Sequence, residues 1–311
     1  MYNLSTYFEY WVLNHKAGFV RDKTLAKYKT TGSWLKRLET EIPISKLSKS
    51  NYQEIIRLYS QVHSHKTVMD FHRQIRASIL DAYDDGIIQK DFTRKVFLGG
   101  RAVKAKNMFL EEIEAKNLMQ SFELEKKSGL TWEHFLALLL TTGLRFSEAL
   151  ALTKNDFDFQ NLVIHVTKSY NYQKKGFVNH RFQPTKNESS IRTIALDLKT
   201  AWILRPIVEN INHTMPIFPS IEGEGHPVIY NSTINNRLKK YCQLAKIPII
   251  TLHGLRHTHA SVLIANGISI QVVAKRLGHA NSITTQNTYI HLLKSTEQKA
   301  NEKITSILIN W

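Results

Sequence analysis

The chain has 311 residues, of which 42% are hydrophobic, with only 13 Gly and 7 Pro, which excludes a low-complexity class and indicates an ordered globular protein. Because single hydrophobic cores rarely grow beyond about 250–300 residues, this length predicts two domains. The 42 Lys and Arg residues outnumber the 26 Asp and Glu residues, for a formal net charge of +16. We therefore expect nucleic acid or an anionic membrane surface as a partner, against the simpler alternative of a merely basic soluble protein.

Residues 1–98 show helical periodicity throughout. An apolar stripe passes through Trp11, and three further helical segments follow, the last two with expected N-caps at Ser50 and Thr67. The N-terminus lacks the basic segment and apolar core of a secretory signal. The pattern predicts a four-helix domain of a cytoplasmic protein.

Residues 1–105 carry half of the net charge in one third of the length. Basic side chains on the predicted exposed helix faces are candidates for contacts with nucleic-acid phosphates, and a solvated surface charge is the alternative for each of them. These candidates are Lys27, Lys29, Lys36, Arg37, Arg73 and Arg76.

The segment FLGGRAVKAKN at 97–107 is expected to link two modules. It combines paired glycines, short side chains and basic residues, and it has no sustained periodicity. We therefore predict a helical domain at 1–98, a linker at 99–107 and a second domain at 108–311.

Two helices open this second domain. The apolar run WEHFLALLL at 132–140 follows an expected N-cap at Thr131, and its helix ends at Gly143. The run is shorter than the ~18–20 residues of a membrane span, so it indicates a buried helix.

Residues 156–172 and 189–197 show the alternating, β-branched pattern of strands, with a polar loop between them, and the remainder is helical again. The expected fold class is mainly α with a small β-sheet or hairpin: a helical front domain and a mixed α+β rear domain.

The single cysteine, Cys242, excludes an internal disulfide and fits a reducing compartment.

The second domain holds residue types suited to phosphodiester cleavage. Arg145 follows the stop at Gly143, where a new helix starts, and His253 and Arg256 lie three residues apart on one helix face. A planar guanidinium binds two non-bridging phosphate oxygens and keeps its charge. Both arginines are therefore suited to stabilise the five-coordinate phosphorane that forms during phosphodiester cleavage. For Arg145, a plain surface arginine at a helix start is the alternative.

His253 and His257 are four residues apart, a spacing that would also permit a metal ion. The glutamate of an HExxH motif and a cysteine cluster are missing from this sequence. We therefore expect neither a metal nor another cofactor.

Four short segments occur in a characteristic order: GLRFSE at 143–148, HGLRH at 253–257, LGHA at 277–280 and TYIH at 288–291. Together they resemble the four signature segments of the tyrosine recombinase (phage-type integrase) family. Each alone is a weak signal, whereas all four in order with the family's spacing are specific. The resemblance covers the whole chain and implies a helical core-binding module in front of a catalytic module.

The resemblance also implies roles for individual residues. Those expected around the scissile phosphate are Arg145, His253, Arg256 and His279, and Tyr289, ten residues beyond His279, would be the nucleophile. Glu148 and His291 match supporting positions of the family.

A lysine on a β-hairpin serves as general acid in this family, and Lys186 in PTKNESSIRTIAL is the candidate. Lys168 and Lys174 lie on the same predicted hairpin and are alternatives. The last segment, from Leu292 to Trp311, is an amphipathic helix with an apolar end, which would pack either on its own domain or on a neighbouring protomer.

The resemblance implies a site-specific recombinase, or integrase, that cuts and rejoins DNA through a 3'-phosphotyrosine and integrates or excises a phage genome or another mobile element. Its implied partners are double-stranded DNA with att-type core sites and three further copies in a synaptic tetramer, with an excisionase or a host DNA-bending protein as candidate accessory factors. The protein would act at the nucleoid in the cytoplasm of a bacterial host, without a membrane partner. Many phage members carry an additional N-terminal arm-binding domain, and the predicted elements of this sequence start at the core-binding helices.

Two alternatives stay open. A type IB topoisomerase shares the chemistry but relaxes a single duplex. A catalytically inactive relative would bind DNA as a regulator.

Overall fold

The computed structural model describes residues 2–38, 42–102, 108–172, 182–185, 188–211, 215–222 and 229–281, and the single positions 283, 286, 289, 305 and 308. The chain forms two compact units, Met1–Ala105 and Lys106–Trp311. The division between them falls inside the segment 99–107.

The first unit is helical. Its core holds Trp11, whose indole nitrogen donates to Asp81 Oδ2 at 2.5 Å, and the stacked rings of Tyr59 and Phe71, whose centroids lie 3.8 Å apart. The four predicted helices are present as α1 (Leu4–His15), α2 (Asp22–Leu38), α3 (Lys49–Ser60) and α4 (His65–Asp84).

The expected caps of α3 and α4 are wrong by two and three residues. Ser48 caps α3 because it exchanges hydrogen bonds with Asn51 in a capping box, and Ser64 caps α4 by accepting from the Thr67 backbone N–H. Ser50 and Thr67 lie inside the first turns. Several hydroxyl residues compete near each start, and the one that caps has a matching partner three residues later.

The second unit is built around a buried helix. Residues of WEHFLALLL are buried on nearly all sides and pack against the helix that carries His253. As predicted, the buried helix begins at its N-cap Thr131 and ends at Gly143, whose φ is +68°. The helices are α5 (Glu112–Ser121), α6 (Trp132–Thr142), α7 (Phe146–Leu150), α8 (Leu198–Glu209), α9 (Asn231–Leu244), α10 (Leu252–Ala265) and α11 (Ile270–Leu277).

Two small antiparallel sheets accompany these helices. The strands are β1 (Phe157–Asp158), β2 (Val163–Val166), β3 (Lys168–Tyr170), β4 (Phe182–Pro184) and β5 (Arg192–Ala195). In one sheet, β2 lies between β1 and β5, with Ile164 opposite Ile194; in the other, β3 pairs with β4. The expected class, mainly α with a small sheet and hairpin, is confirmed, although β4 lies in a segment predicted as a polar loop.

Within the described part of the chain, no helix is both long and apolar enough to span a bilayer.

Candidate active site

Two arginines that are far apart in sequence bind consecutive carbonyls at the C-terminal end of α11. Arg145 Nη2 donates to Gly278 O at 2.8 Å, and Arg256 Nη2 donates to Leu277 O at 2.6 Å. His279 is the next residue. The end of α11 therefore holds both guanidinium groups beside His279, which brings three of the predicted catalytic residues together.

Arg256 is deeply buried, with 3% of its surface exposed. Its Nη1 donates to Gly143 O at 2.7 Å, the carbonyl at the end of α6. Burial, together with the charge of Arg145, lowers the pKa of Arg256 to about 9, so the side chain remains a cation at neutral pH. A buried cation whose hydrogen bonds to the described residues go to carbonyl oxygens retains attraction for an anion.

Glu148 orients Arg145. Arg145 occupies the N-cap position of α7, and its Nη1 donates to Glu148 Oε1 at 2.6 Å while its backbone N–H donates to Glu148 Oε2 at 3.0 Å. Burial acts to raise the pKa of the Glu148 carboxyl, but the hydrogen bond and charge of Arg192 and the charge of Arg145 outweigh it and hold the pKa below its ordinary value. The supporting role expected for Glu148 is compatible with these contacts.

Arg192 on β5 completes this arrangement. Its Nη2 donates to Glu148 Oε2 at 2.9 Å, its Nε donates to Arg276 O at 2.7 Å, and 6% of its side chain is exposed. Gly278, with φ +68°, approaches so closely that an added Cβ would lie 3.0 Å from Arg192 Nη1. Arg192 was not predicted from the sequence, because a single arginine in a strand pattern carries no signal for a contact with Glu148.

Three imidazole rings adjoin the arginines. Burial, followed by the charges of Arg256 and Arg145, lowers the pKa of His279 to about 4 and also lowers the pKa of His253. The His253 and His257 rings meet edge to face, with centroids 4.6 Å apart. At neutral pH, His253 and His279 are therefore neutral and can donate an N–H to a phosphate oxygen without adding charge.

Tyr289 is buried, with 1% of its surface exposed, in an apolar cluster that includes Ile264, Val273 and Leu277. Its hydroxyl lies 2.7 Å from Nδ1 of His257. Burial raises the pKa of the phenol, and the charge of Arg256 partly opposes this increase. From the sequence, His257 was predicted only as a possible metal ligand. Its contact with the predicted nucleophile was not predicted, although its place one helical turn after His253 follows from the spacing.

The lysine position is only partly described. Lys168 pairs with Asp156, its Nζ lying 2.5 Å from Oδ2, and this contact engages one of the three candidates. Lys186 and Lys174 lie outside the described residues, as do His291 and most of the C-terminal tail.

The basic candidates of the first unit differ in their surroundings. Arg76 is half-buried and binds Asp91 Oδ2 at 2.9 Å and Thr93 Oγ1 at 2.8 Å, so its charge is engaged internally. Arg37 lies over the ring of Trp34. The candidates with exposed side chains are Lys27, Lys29, Lys36, Arg37 and Arg73, of which Lys36 pairs with Glu9 and Arg73 with Asp70.

No three His, Cys, Asp or Glu side chains among the described residues are grouped closely enough to hold a metal ion. The described site thus consists of two guanidinium cations, neutral imidazoles and a phenol. Such a set can bind an anionic phosphodiester and supply an oxygen nucleophile to it.

Comparison with known proteins agrees with this chemistry. The sequence model of the phage integrase family matches residues 108–296. The transposase of transposon Tn916 from Enterococcus faecalis is 26% identical over 251 residues, which cover 76% of this chain and 61% of that transposase. The chain thus spans less than two thirds of the length of this relative.

Solved structures share the fold. The Tn1549 transposon integrase in complex with transposon right end DNA has a TM-score of 0.76 at 21% identity, covering 96% of this chain and 99% of that one. A lambda integrase tetramer bound to a Holliday junction has a TM-score of 0.63 at 15% identity, covering 91% of this chain and 79% of that one.

Proposed function

The chain belongs to the phage integrase family of tyrosine recombinases, and on that premise we propose that it is a site-specific recombinase that cuts and rejoins duplex DNA to integrate or excise a mobile element. The observation that carries the proposal is the convergence at the end of α11. Arg145 and Arg256 bind the carbonyls of Gly278 and Leu277, so that two cations lie beside His279. This geometry fits a phosphodiester better than it fits a neutral substrate.

In the proposed reaction, Arg145 and Arg256 neutralise the non-bridging oxygens, and His253 and His279 donate hydrogen bonds to them. Tyr289 Oη attacks phosphorus and displaces the 5'-oxygen, which yields a 3'-phosphotyrosine. The leaving oxygen needs a proton, for which Lys186 is the candidate donor. Because an aryl phosphate ester preserves the bond energy, a 5'-hydroxyl can later attack it and rejoin a strand.

Duplex DNA is the proposed partner. The net charge of +16 favours it, and phosphate contacts would make the affinity fall steeply with salt. The Tn1549 and lambda integrases of similar fold are seen with DNA, and the lambda enzyme is seen as a tetramer on a Holliday junction. A synaptic tetramer is therefore the proposed assembly of this chain.

The test begins with a target site, selected by binding from a random-sequence duplex library. A nicked version of that site traps the covalent product, because the released short strand diffuses away. Wild-type protein should form an SDS-resistant adduct, and Tyr289→Phe should form none. Tyr241→Phe is the matched control, because the Tyr241 hydroxyl donates to Glu133 and not to a residue of the candidate site. This variant should still form the adduct.

Three outcomes would contradict parts of the proposal. Absence of an adduct with wild-type protein on the selected site would favour a regulator that only binds DNA. An adduct that persists in Tyr289→Phe would refute the nucleophile. Relaxation of a single duplex without any strand exchange between two duplexes would favour a topoisomerase.

A further inference from the structure

His257 is in direct contact with the oxygen that would react. Its Nδ1 lies 2.7 Å from Tyr289 Oη, a distance typical of a strong hydrogen bond. The rest of the Tyr289 ring packs in the apolar cluster with Ile264, Val273 and Leu277. A buried hydroxyl needs a polar partner, so this bond sets the direction in which the phenol oxygen points.

The position of His257 on α10 relates the direction of the Tyr289 phenol oxygen to the predicted phosphate-binding residues. His257 follows Arg256 directly and lies one turn after His253, whose ring meets it edge to face. Arg256 also acts electrostatically on Tyr289. The bond to His257 therefore holds the phenol oxygen at the edge of the apolar cluster, within the electrostatic influence of Arg256.

The protonation state of His257 suits a proton acceptor. Burial first, and then the charges of His253 and Arg256, lower its pKa to about 4. The ring is consequently neutral at neutral pH, and the tautomer protonated at Nε2 presents the lone pair of Nδ1 to the phenol.

We propose that His257 is a catalytic residue that both aims Tyr289 Oη and accepts its proton during cleavage, an inference that rests on the proposed recombinase function. As the bond between Oη and phosphorus forms, the bond from phosphorus to the 5'-oxygen breaks. The phenolic proton moves to His257 Nδ1, and the 5'-oxygen takes a different proton from the general acid. On rejoining, the 5'-hydroxyl attacks phosphorus and gives its proton to the conjugate base of the general acid, while the bond from phosphorus to Oη breaks and Oη takes a proton back from His257.

A weak base is adequate for this step. The free phenol holds its proton tightly in this buried position, so transfer before attack is unfavourable. Once Oη begins to bond to phosphorus, its electron density falls and its proton becomes much more acidic. Proton transfer then accompanies bond formation, and a positioned general base contributes to the rate of such a step.

The test uses His257→Asn, whose amide oxygen can accept a hydrogen bond but cannot hold a proton at neutral pH. The full-length variant should bind the selected duplex as wild type does, and it should form the adduct about 10²–10⁴-fold more slowly in a single turnover. The same change at the exposed His165 is the matched control and should leave the rate unchanged. If His257→Asn does not fold, His257→Gln provides the same test with a longer side chain.

A fluorinated tyrosine at position 289 separates proton transfer from positioning. Its phenol loses its proton more easily, so it should raise the rate of the His257 variant by at most about tenfold for each unit by which the phenol pKa falls, because the more acidic phenol is also a weaker nucleophile. A variant rate within about threefold of wild type would overturn the proposed role, as would a slow rate that fluorination does not restore. If wild-type protein also forms no adduct, the proposed recombinase function is refuted. If wild-type protein forms the adduct normally, a contrary result refutes only the proposed role of His257.

Discussion

Arg192 Nη2 donates to Glu148 Oε2 at 2.9 Å, and this buried ion pair joins strand β5 to the helix that begins at Arg145. The other oxygen of the carboxylate binds Arg145 Nη1. Glu148 thus joins two guanidinium groups, that of Arg145, which is predicted to bind the phosphate, and that of Arg192. Arg192 acts as a positioning residue, because its contacts reach Arg145 through Glu148.

Arg192→Met should lower the free energy of unfolding by about 3–5 kcal/mol, because it removes the charged partner of Glu148 Oε2 in a buried site and leaves that oxygen with the Arg145 backbone N–H. Chemical denaturation measures this value. Arg205→Met is the matched control: Arg205 pairs with Glu209 on the surface of α8, and its loss should cost less than about 1 kcal/mol. Equal losses for the two variants would show that the Arg192 pair contributes no more than a surface pair.

Gly143→Ala should destabilise the second unit by about 1–3 kcal/mol more than Gly267→Ala does. Both glycines have positive φ, +68° and +84°, so the backbone strain is similar. The added Cβ at 143 would lie 2.7 Å from His259 Cδ2, whereas nothing lies within 4 Å of one at 267. Thermal melting of the two variants, under one buffer condition, compares them directly, and similar melting temperatures would refute the predicted clash.

His259 should make the second unit lose stability as the pH falls. Its Nδ1 donates to Leu140 O and its Nε2 accepts from Arg276 Nε, so the ring is neutral, and burial lowers its pKa to about 3. Below pH ~6.5, the ordinary pKa of histidine, His259 binds a proton in the unfolded chain but stays neutral in the folded protein. The stabilising contribution is complete above pH ~6.5 and is lost progressively toward pH ~3.

Urea titrations between pH 4 and 6 measure this dependence. A variant such as His259→Gln keeps a donor and an acceptor but does not titrate, so the slope of stability against pH should be smaller by about 1.4 kcal/mol per pH unit. An unchanged slope would mean that other groups account for the acid sensitivity.

The exposed and the engaged arginines of the first unit should behave differently. Arg37→Gln should weaken DNA binding. It should also make the slope of log K against the logarithm of the salt concentration less negative by about one, because one phosphate contact is lost. Arg76→Gln should instead lower the stability of the first unit, because it removes the partner of Asp91. Filter binding at several salt concentrations measures the effect of each variant on DNA binding, and chemical denaturation measures its effect on stability. A salt slope that changes in Arg76→Gln but not in Arg37→Gln would show that Arg76, and not Arg37, contacts DNA.

Local patterns predicted the elements well. The four helices of residues 1–98 and the limits of α6 at Thr131 and Gly143 are confirmed, because helical periodicity and glycine stops act over a few residues. The caps at Ser50 and Thr67 were wrong, since neighbouring hydroxyl residues offer nearly equal local choices. Strand β4 was missed because a three-residue strand has too little alternation to be distinguished from a loop.

By itself, the sequence determined the class of fold, the order of the signature segments and the placement of His253 and Arg256 on one helix face, since a spacing of three residues specifies a face of any helix. Tertiary structure alone decided that Arg145 and Arg256 meet at the end of α11, that Arg192 supports Glu148, and that His257 bonds to Tyr289. These contacts join residues between 21 and 133 positions apart. They depend on how helices and strands pack, and a periodic pattern within one element does not contain that information.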